Sequence, residues 1–469
     1  MTEVPATLPE APRISPWSVF GVASIAVFLV SIDGTVLFAA FDALRAGFPR
    51  SSAADLSWVL NAYTVVYAAL LVPAGRLVDA LGRKRVFQGG LLLFLAASAA
   101  CGAAPSVGWL VAARAFQAVG AALLTPASLA LVLGAFPADR RAVVVSLWGA
   151  VGGLAAALGP SLGSAVVDAM GWRWAFFLNL PLGLLAWWRG RRRLAEWRHA
   201  NGDASLDGVG ITLIITGVGA LAYGIVQGDA LGWRSGVVHM ALVAGPLLLA
   251  AFVAWARHVS NPAVDLSLFA DRTYRYVNLA TLVFGIAFSM MFFAMFFFLM
   301  QVWHYTLPQA GLAVSPGPAL VVPVAMLSGR LAARFGHRPL LVFGSLLYAA
   351  GGLWLYLRAG PAPDYLGVWL PGLLMTGPAV GMVLPSLSGA AVARLAPARF
   401  GVGSAVNQAV RQMGSVLGVA LTVALVGHAA PQVAEFRSLY LTHVALALAI
   451  AVLCLRIDTA PPTRAASRR

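Results

Sequence analysis

Three charged residues stand inside long apolar runs of this sequence. Asp33 is the one acidic residue of 17 placed well inside such a run; the others fall in tails, loops or run ends. Arg114 and Arg411 are its two basic counterparts. A charged group in an apolar layer is costly unless paired or watered, so such residues mark proton relays, ion paths or binding sites. A carboxyl there can bind and release a proton as its surroundings change. An arginine there can hold that carboxyl, or bind an anionic group through its planar fork.

Other chemistries lack their residues. The seven His are scattered without an H-x-x-x-H pair, so no metal site is expected. The only lysine, Lys84, lies in Arg83-Lys84-Arg85, so no G-x-x-x-x-G-K-[S/T] phosphate loop exists. Cys101 and Cys454 sit in separate apolar runs and form no C-x-x-C. Gly159-Pro160-Ser161-Leu162-Gly163 fits the G-x-S-x-G nucleophile elbow. That elbow needs a strand-to-helix turn with His and Asp partners, whereas this match lies mid-run. An enzyme is not expected, nor a cofactor. Uphill movement of a solute would not draw on ATP hydrolysis by the phosphate-loop route.

Many long apolar elements carry these residues. The chain has 469 residues, 60% hydrophobic and 10% charged. Soluble chains carry about 45–50% apolar and about 25% charged residues. The contrast excludes an ordinary soluble enzyme, a disordered chain and a disulfide scaffold, and points to an integral membrane protein. Residues 1–16 are polar and Pro-rich. The run Trp17 to Ala40 exceeds a signal-peptide core of about 7–15 residues and reads as the first span. Windows of about 20 residues, enough to cross about 30 Å of hydrocarbon, locate the others. They fall at 57–77, 86–104, 108–134, 142–166, 173–189, 207–227, 236–256, 276–302, 309–332, 338–358, 365–391, 402–427 and 440–456, fourteen in all. Lipid demands internally satisfied backbone, so these are helices.

Charge orients them. The net charge is +15. With the N-terminus inside, 24 basic residues fall in inner segments; only Arg45, Arg50, Arg173, Arg234, Arg358 and Arg437 fall in outer ones. This obeys the positive-inside rule and puts both termini in the cytoplasm. The basic excess then faces anionic lipid, and nucleic acid is not an expected partner.

The chain repeats itself. Gly75-Arg76-Leu77-Val78-Asp79-Ala80-Leu81-Gly82-Arg83-Lys84 is similar to Gly329-Arg330-Leu331-Ala332-Ala333-Arg334-Phe335-Gly336-His337-Arg338, 254 residues on. Each copy follows the second span of a six-span half, a pattern that marks secondary transporters. The offset leaves room for two extra spans. The organisation expected is a tail 1–16, a six-helix bundle 17–190, a basic linker 191–206, an inserted pair 207–256, a cytoplasmic loop 257–275, a second bundle 276–456 and a tail 457–469.

These features resemble the major facilitator superfamily, specifically its 14-span drug:proton antiporter branch (EmrB/QacA-like multidrug efflux transporters). Trp58, Tyr63, Pro73 and Gly75-x-x-x-Asp79-x-x-Gly82-Arg83-Lys84 match the superfamily's loop motif. Ala155-x-x-x-Gly159-Pro160-x-x-Gly163-Ser164 is similar to the antiporter signature of helix 5. Trp172 to Gly183, Asp207-Gly208, Gly232-Trp233 and Pro262-x-x-Asp265-x-x-Leu268-Phe269 look like the branch around helix 6 and the inserted pair. Asn407-x-x-x-Arg411-Gln412-x-Gly414-x-x-x-Gly418 resembles its helix 13. Two departures stand out: Phe38-Ala39-Ala40-Phe41-Asp42 replaces the usual end of helix 1, and Ala333 occupies the place of Asp79 in the second half.

The expected fold is an all-α polytopic membrane protein of two pseudo-symmetric six-helix bundles plus two inserted helices. At 1.5 Å per residue, Asp33 and Arg114 lie about 7 Å and about 7–9 Å outward of the midplane. The resemblance sets helices 1 and 4 side by side, which makes the two a proton-coupling pair. It also implies a gating loop of Gly75, Asp79, Gly82, Arg83 and Lys84, in which Asp79 caps a helix of the other half. Gly159, Pro160 and Gly163 read as a hinge or a sealed face between the halves. Asn61, Tyr63, Gln117, Asn407, Arg411 and Gln412 are candidates for a polar substrate cleft, with interhelical bonding as the alternative. The function expected is proton-coupled export of small lipophilic or amphipathic compounds across the inner membrane by a monomer. An exporter of one endogenous metabolite (a siderophore, antibiotic or lipid) is the nearest rival, and a non-transporting receptor on the same fold a further one.

Overall fold

A computed structural model describes residues 15–137, 140–196, 207–395, 399–426 and 432–459. Among the described residues there is no strand. The first half comprises α1 (Pro16–Gly47), α2 (Ala53–Leu81), α3 (Arg83–Gly102), α4 (Val107–Ala135), α5 (Arg141–Met170), α6 (Trp174–Phe177) and α7 (Asn179–Arg193). The inserted pair is α8 (Gly208–Leu231) and α9 (Gly236–Ala256). The second half comprises α10 (Arg272–Phe297), extended by a π turn Phe298–Val302, then α11 (Leu307–Val314), α12 (Pro316–Phe335) and α13 (Arg338–Arg358). A π turn Tyr365–Trp369 leads into α14 (Leu370–Val392), followed by α15 (Phe400–Val426) and α16 (Val433–Cys454).

Twelve described helices are long and apolar enough to cross a membrane. Helices also occupy the other two expected segments. α5 covers 142–166, and 173–189 is shared by α6 and α7, which are parted at Leu178. The expectation of fourteen spans therefore meets twelve clear ones.

Side chains in the loops start the helices. The Ser52 hydroxyl accepts from the Asp55 backbone while Asp55 accepts from the Ser52 N–H, a reciprocal cap on α2. Thr306 and Gln309 do the same for α11, and Asp271 accepts from the Tyr274 N–H at 2.7 Å to start α10. The repeated loops end alike. Gly82 and Gly336 have φ of +101° and +78°, a left-handed conformation that lets α2 turn sharply into α3 and α12 into α13.

Packing repeats too. α1 lies on α5, α2 on α4, and α3 on α4 and α7; in the same order α10 lies on α15, α12 on α14, and α13 on α14 and α16. The halves touch through α2 against α15 and through α5 against α11 and α12, with α8 laid over the α2/α15 seam. α10 and α15 approach one another closely. A Cβ added at Gly285 would strike the Arg411 carbonyl, one at Gly414 the Leu282 carbonyl, and one at Gly418 the Ile286 carbonyl. This small-residue seam sets the height of Arg411 on α15.

Away from the arginine-rich end, aromatic residues join the halves. Phe41 of α1 meets Phe293 edge-on at 4.8 Å and Phe297 at 5.6 Å. Phe292, Phe293, Phe296, Phe297 and Phe298 are all buried, so this cluster is a core and not a lipid-facing surface.

Candidate functional site

Asp33 of α1 is buried in the first half; α4 and α7 contact it directly, and α2, α3 and α6 contact the residues that hold it. Arg114 of α4 donates Nη1–H to Asp33 Oδ2 at 2.6 Å, with both side chains 1% exposed. Gln117, one turn on, donates Nε2–H to Oδ1 at 2.8 Å, and Asn179 of α7 donates Nδ2–H to the same oxygen at 3.0 Å. Ser98 of α3 accepts from Gln117 at 2.8 Å and from Asn179 at 3.3 Å. Arg114 also donates Nε–H to the Val59 carbonyl of α2 at 3.0 Å and Nη1–H to Gln117 Oε1 at 2.6 Å. Its guanidinium lies 3.9 Å from the Tyr63 ring centre and 5.9 Å from that of Phe176.

Every contact to Asp33 comes from an N–H donor, so both its oxygens act as acceptors. A buried ion pair holds only with such added hydrogen bonds and near-ideal geometry. The whole network is buried beneath the surrounding helices. Sequence reasoning paired Asp33 with Arg114, and the structure brings the two together. It missed Ser98 and Asn179. An Asn within the apolar stretch 174–186 was the available signal for the second.

The proposed cleft residues divide. Gln117 belongs to the Asp33 network, and Tyr63 is buried against Arg114. Asn407 is buried and donates to Asn278 at 3.1 Å and Thr281 at 2.9 Å, so it ties α15 to α10 and does not face a cleft. Asn61 is fully buried with neither amide atom bonded. Arg411 and Gln412 alone are half-buried. Arg411 donates Nε–H to Gln408 at 3.3 Å. The Tyr67 hydroxyl lies beside Gln408 and Arg411, bonds to Thr125 at 2.9 Å, and its ring stacks on Tyr63 at 5.9 Å. Tyr67 and Gln408 escaped the sequence reading because neither carries a charge.

Gly159 and Gly163 pack α5 against Thr35 and Val36 of α1, two and three residues beyond Asp33. The contacts of these two glycines lie within the first half, while other residues of α5 face α11 and α12. The Pro160 side chain lies outside the described residues. Ser161 bonds to Ser315 across the halves, with neither His nor Asp bonded to it.

The loop Gly75 to Lys84 bonds to the rest of the first half and to the segment after α9. Asp79's side chain lies outside the described residues. Glu196 caps α3, accepting from the N–H groups of Lys84 and Arg85 at 3.1 Å each. Arg83 donates to the Ala130 carbonyl at 2.9 Å and Lys84 to the Arg191 carbonyl at 3.1 Å, both within the first half. Arg76 reaches beyond it, donating to the Asn261 and Pro262 carbonyls at 2.9 and 2.7 Å.

Next to that contact, Asp207 accepts from Gly210 at 2.8 Å and from Ala263 and Trp255 at 2.9 Å. Burial alone would raise its carboxyl, but these bonds and nearby Arg76 outweigh it and hold it below the usual 3.8. Asp265, also partly buried, is held below 3.8 by Ser267 and by Arg399 at 2.7 Å. A depressed carboxyl stabilises the fold above its unfolded pKa, and that stabilisation is lost as pH falls through the folded one. The unfolding midpoint in detergent is therefore expected to stay flat from neutral pH down to about 4 and to drop below it. Asp207→Ala should lower the plateau and shrink the drop; an unchanged pH profile would mean that the Asp207 contacts do not stabilise the fold.

Among the described residues no group of His, Cys, Asp and Glu is arranged to hold a metal. Residues 23–419 and 277–469 match the sequence profile of the Major Facilitator Superfamily. The puromycin resistance protein of Streptomyces alboniger is 34% identical over 421 residues, 88% of this chain and 82% of that one. The multidrug resistance protein Stp of Mycobacterium tuberculosis is 32% identical over 400 residues, 85% of this chain and 73% of that one. The crystal structure of a D-xylose–proton symporter superposes with a TM-score of 0.66 over 96% of this chain and 98% of that one, at 14% identity, a likeness of fold.

Proposed function

The chain belongs to the Major Facilitator Superfamily and is a multi-pass membrane transporter, not an enzyme; on that premise we propose that it exports small lipophilic or amphipathic compounds, drugs among them, across the cytoplasmic membrane in exchange for protons. The observation that carries this reading is the buried Asp33–Arg114 pair, a proton-binding group with its counter-charge at the core of one half. Relatives that confer drug resistance support the cargo class. The arginine-rich end faces the cytoplasm with both termini, as the positive-inside rule requires.

Transport proceeds by rocking one half against the other. At the end away from the arginines, Gln301 donates to Asp42 at 3.3 Å, Ser161 meets Ser315, and Phe41 packs on Phe293. These contacts form a closed outer gate. Protonation of Asp33 loosens its hold on Arg114, and cargo binding reverses that, so the two ligands alternate. No residue of the chain needs a cofactor for this, and a single chain holds both halves.

The test is proton movement in inside-out vesicles with an acidic interior. A panel of lipophilic cations, zwitterions and anions is added in turn. Substrate-dependent loss of the pH gradient is expected for at least one class. Silence throughout, from folded protein at normal membrane level, would overturn the exporter reading.

A further inference from the structure

We infer that Arg411 anchors an anionic group of the cargo, so that the transported class is an amphipathic carboxylate; this rests on the export reading above and narrows it. Of the three charged residues placed well inside the apolar runs, Asp33 and Arg114 satisfy each other. Arg411 has no carboxylate partner among the described residues. Its one hydrogen bond uses Nε, to Gln408. Nη1 and Nη2 have no hydrogen-bond partner among the described residues, and the residue as a whole is half-buried on α15, the helix that packs against α2 of the other half. A lone cation at this depth is costly and calls for an anion. A guanidinium with free Nη–H groups suits a planar oxyanion taken two atoms at a time.

The surroundings suit the rest of such a molecule. Gly285 packs on the Arg411 carbonyl, and Phe288, one turn further along α10, is half-buried and stacks with Phe284 at 5.9 Å and Phe292 at 5.8 Å. An acidic head at Arg411 and an apolar body along α10 is the arrangement they match.

The same place is wired to the proton site. Tyr67 lies beside Arg411 and Gln408 and stacks on Tyr63, which covers Arg114, which holds Asp33. An anion that draws Arg411 and Gln408 toward itself removes support from Tyr67, and the disturbance reaches the carboxylate through two stacked rings.

The test uses purified full-length protein in inside-out liposomes with an acidic interior. Saturable uptake is measured for tritiated naphthoxyacetate and for its uncharged carboxamide, with ethidium as a cation control. Wild type is expected to prefer the acid at least about tenfold in half-saturating concentration. Arg411→Gln should bring that ratio toward parity, and Arg411→Lys, which keeps the charge without the fork, should fall between. Unfolding midpoints and gel filtration report folding; if Arg411→Gln fails to fold, Arg411→Lys carries the comparison. A wild type without preference, or a preference that survives in both variants, overturns the inference. Ethidium uptake that needs Asp33, with no uptake of the acid, sinks the anion site and leaves export standing. No uptake of any probe by folded wild type removes both.

Discussion

Asp33→Asn should abolish proton-driven export while changing the side-chain volume hardly at all. Asn cannot release a proton, so the substrate-dependent loss of the pH gradient disappears. It should also weaken the fold. Arg114 keeps its charge in a site 1% exposed and loses its counter-ion. Removing one member of a buried pair costs about 3–5 kcal/mol. Gln117 and Asn179 donate to Asp33 as well, and an amide there presents a donor to one of the groups that now donate. Asp33→Asn/Arg114→Gln removes both charges and should regain most of the lost stability while staying inactive. Unfolding midpoints separate the two effects, and transport is compared at matched membrane level. A single or double variant that still exchanges protons for substrate would take Asp33 out of the coupling.

Gly414→Val should be the most damaging change outside that network. A Cβ at Gly414 would strike the Leu282 carbonyl, a backbone atom that cannot swing aside. Overpacking a core costs about 1–3 kcal/mol where side chains can adjust. Here α10 and α15 must part, so the cost should lie at or above that range. Gly285→Ala would push on the Arg411 carbonyl and so tilt the guanidinium as well. Gly89→Ala is the control, since nothing lies within 4 Å of the added carbon. It should be neutral or slightly stabilising, because Ala favours a helix interior over Gly by about 1 kcal/mol. Membrane levels and detergent unfolding midpoints would show the ranking; equal behaviour of Gly414→Val and Gly89→Ala would mean the helix seam is loose.

Much of this molecule was legible before folding. The apolar runs dictate helices, because lipid leaves backbone groups no other partners. The two copies of the Gly-Arg loop revealed the halves, and Gly82 and Gly336 indeed share one left-handed conformation. Asp33 was conspicuous because a lone carboxylate in an apolar run has few reasons to be there. Depth along a helix is a matter of counting residues, so Asp33 and Arg114 could be set at one height from the sequence.

Rotation about each helix axis cannot be counted in that way when a helix is apolar all round. It decides which side chains meet. Asn407 was a cleft candidate by height, yet faces Asn278 and Thr281. Arg411, on the same helix, turns toward α2 and Tyr67. The donors on Asp33 come from positions 81, 84 and 146 residues away. Asp33, the spans and the repeat belong to the sequence by itself, since composition and local period determine them. The full ring of donors around Asp33, and the aromatic link from it to Arg411, belong to the tertiary structure. They arise only when six separate elements pack together, and that packing sets the helix rotations on which each contact depends.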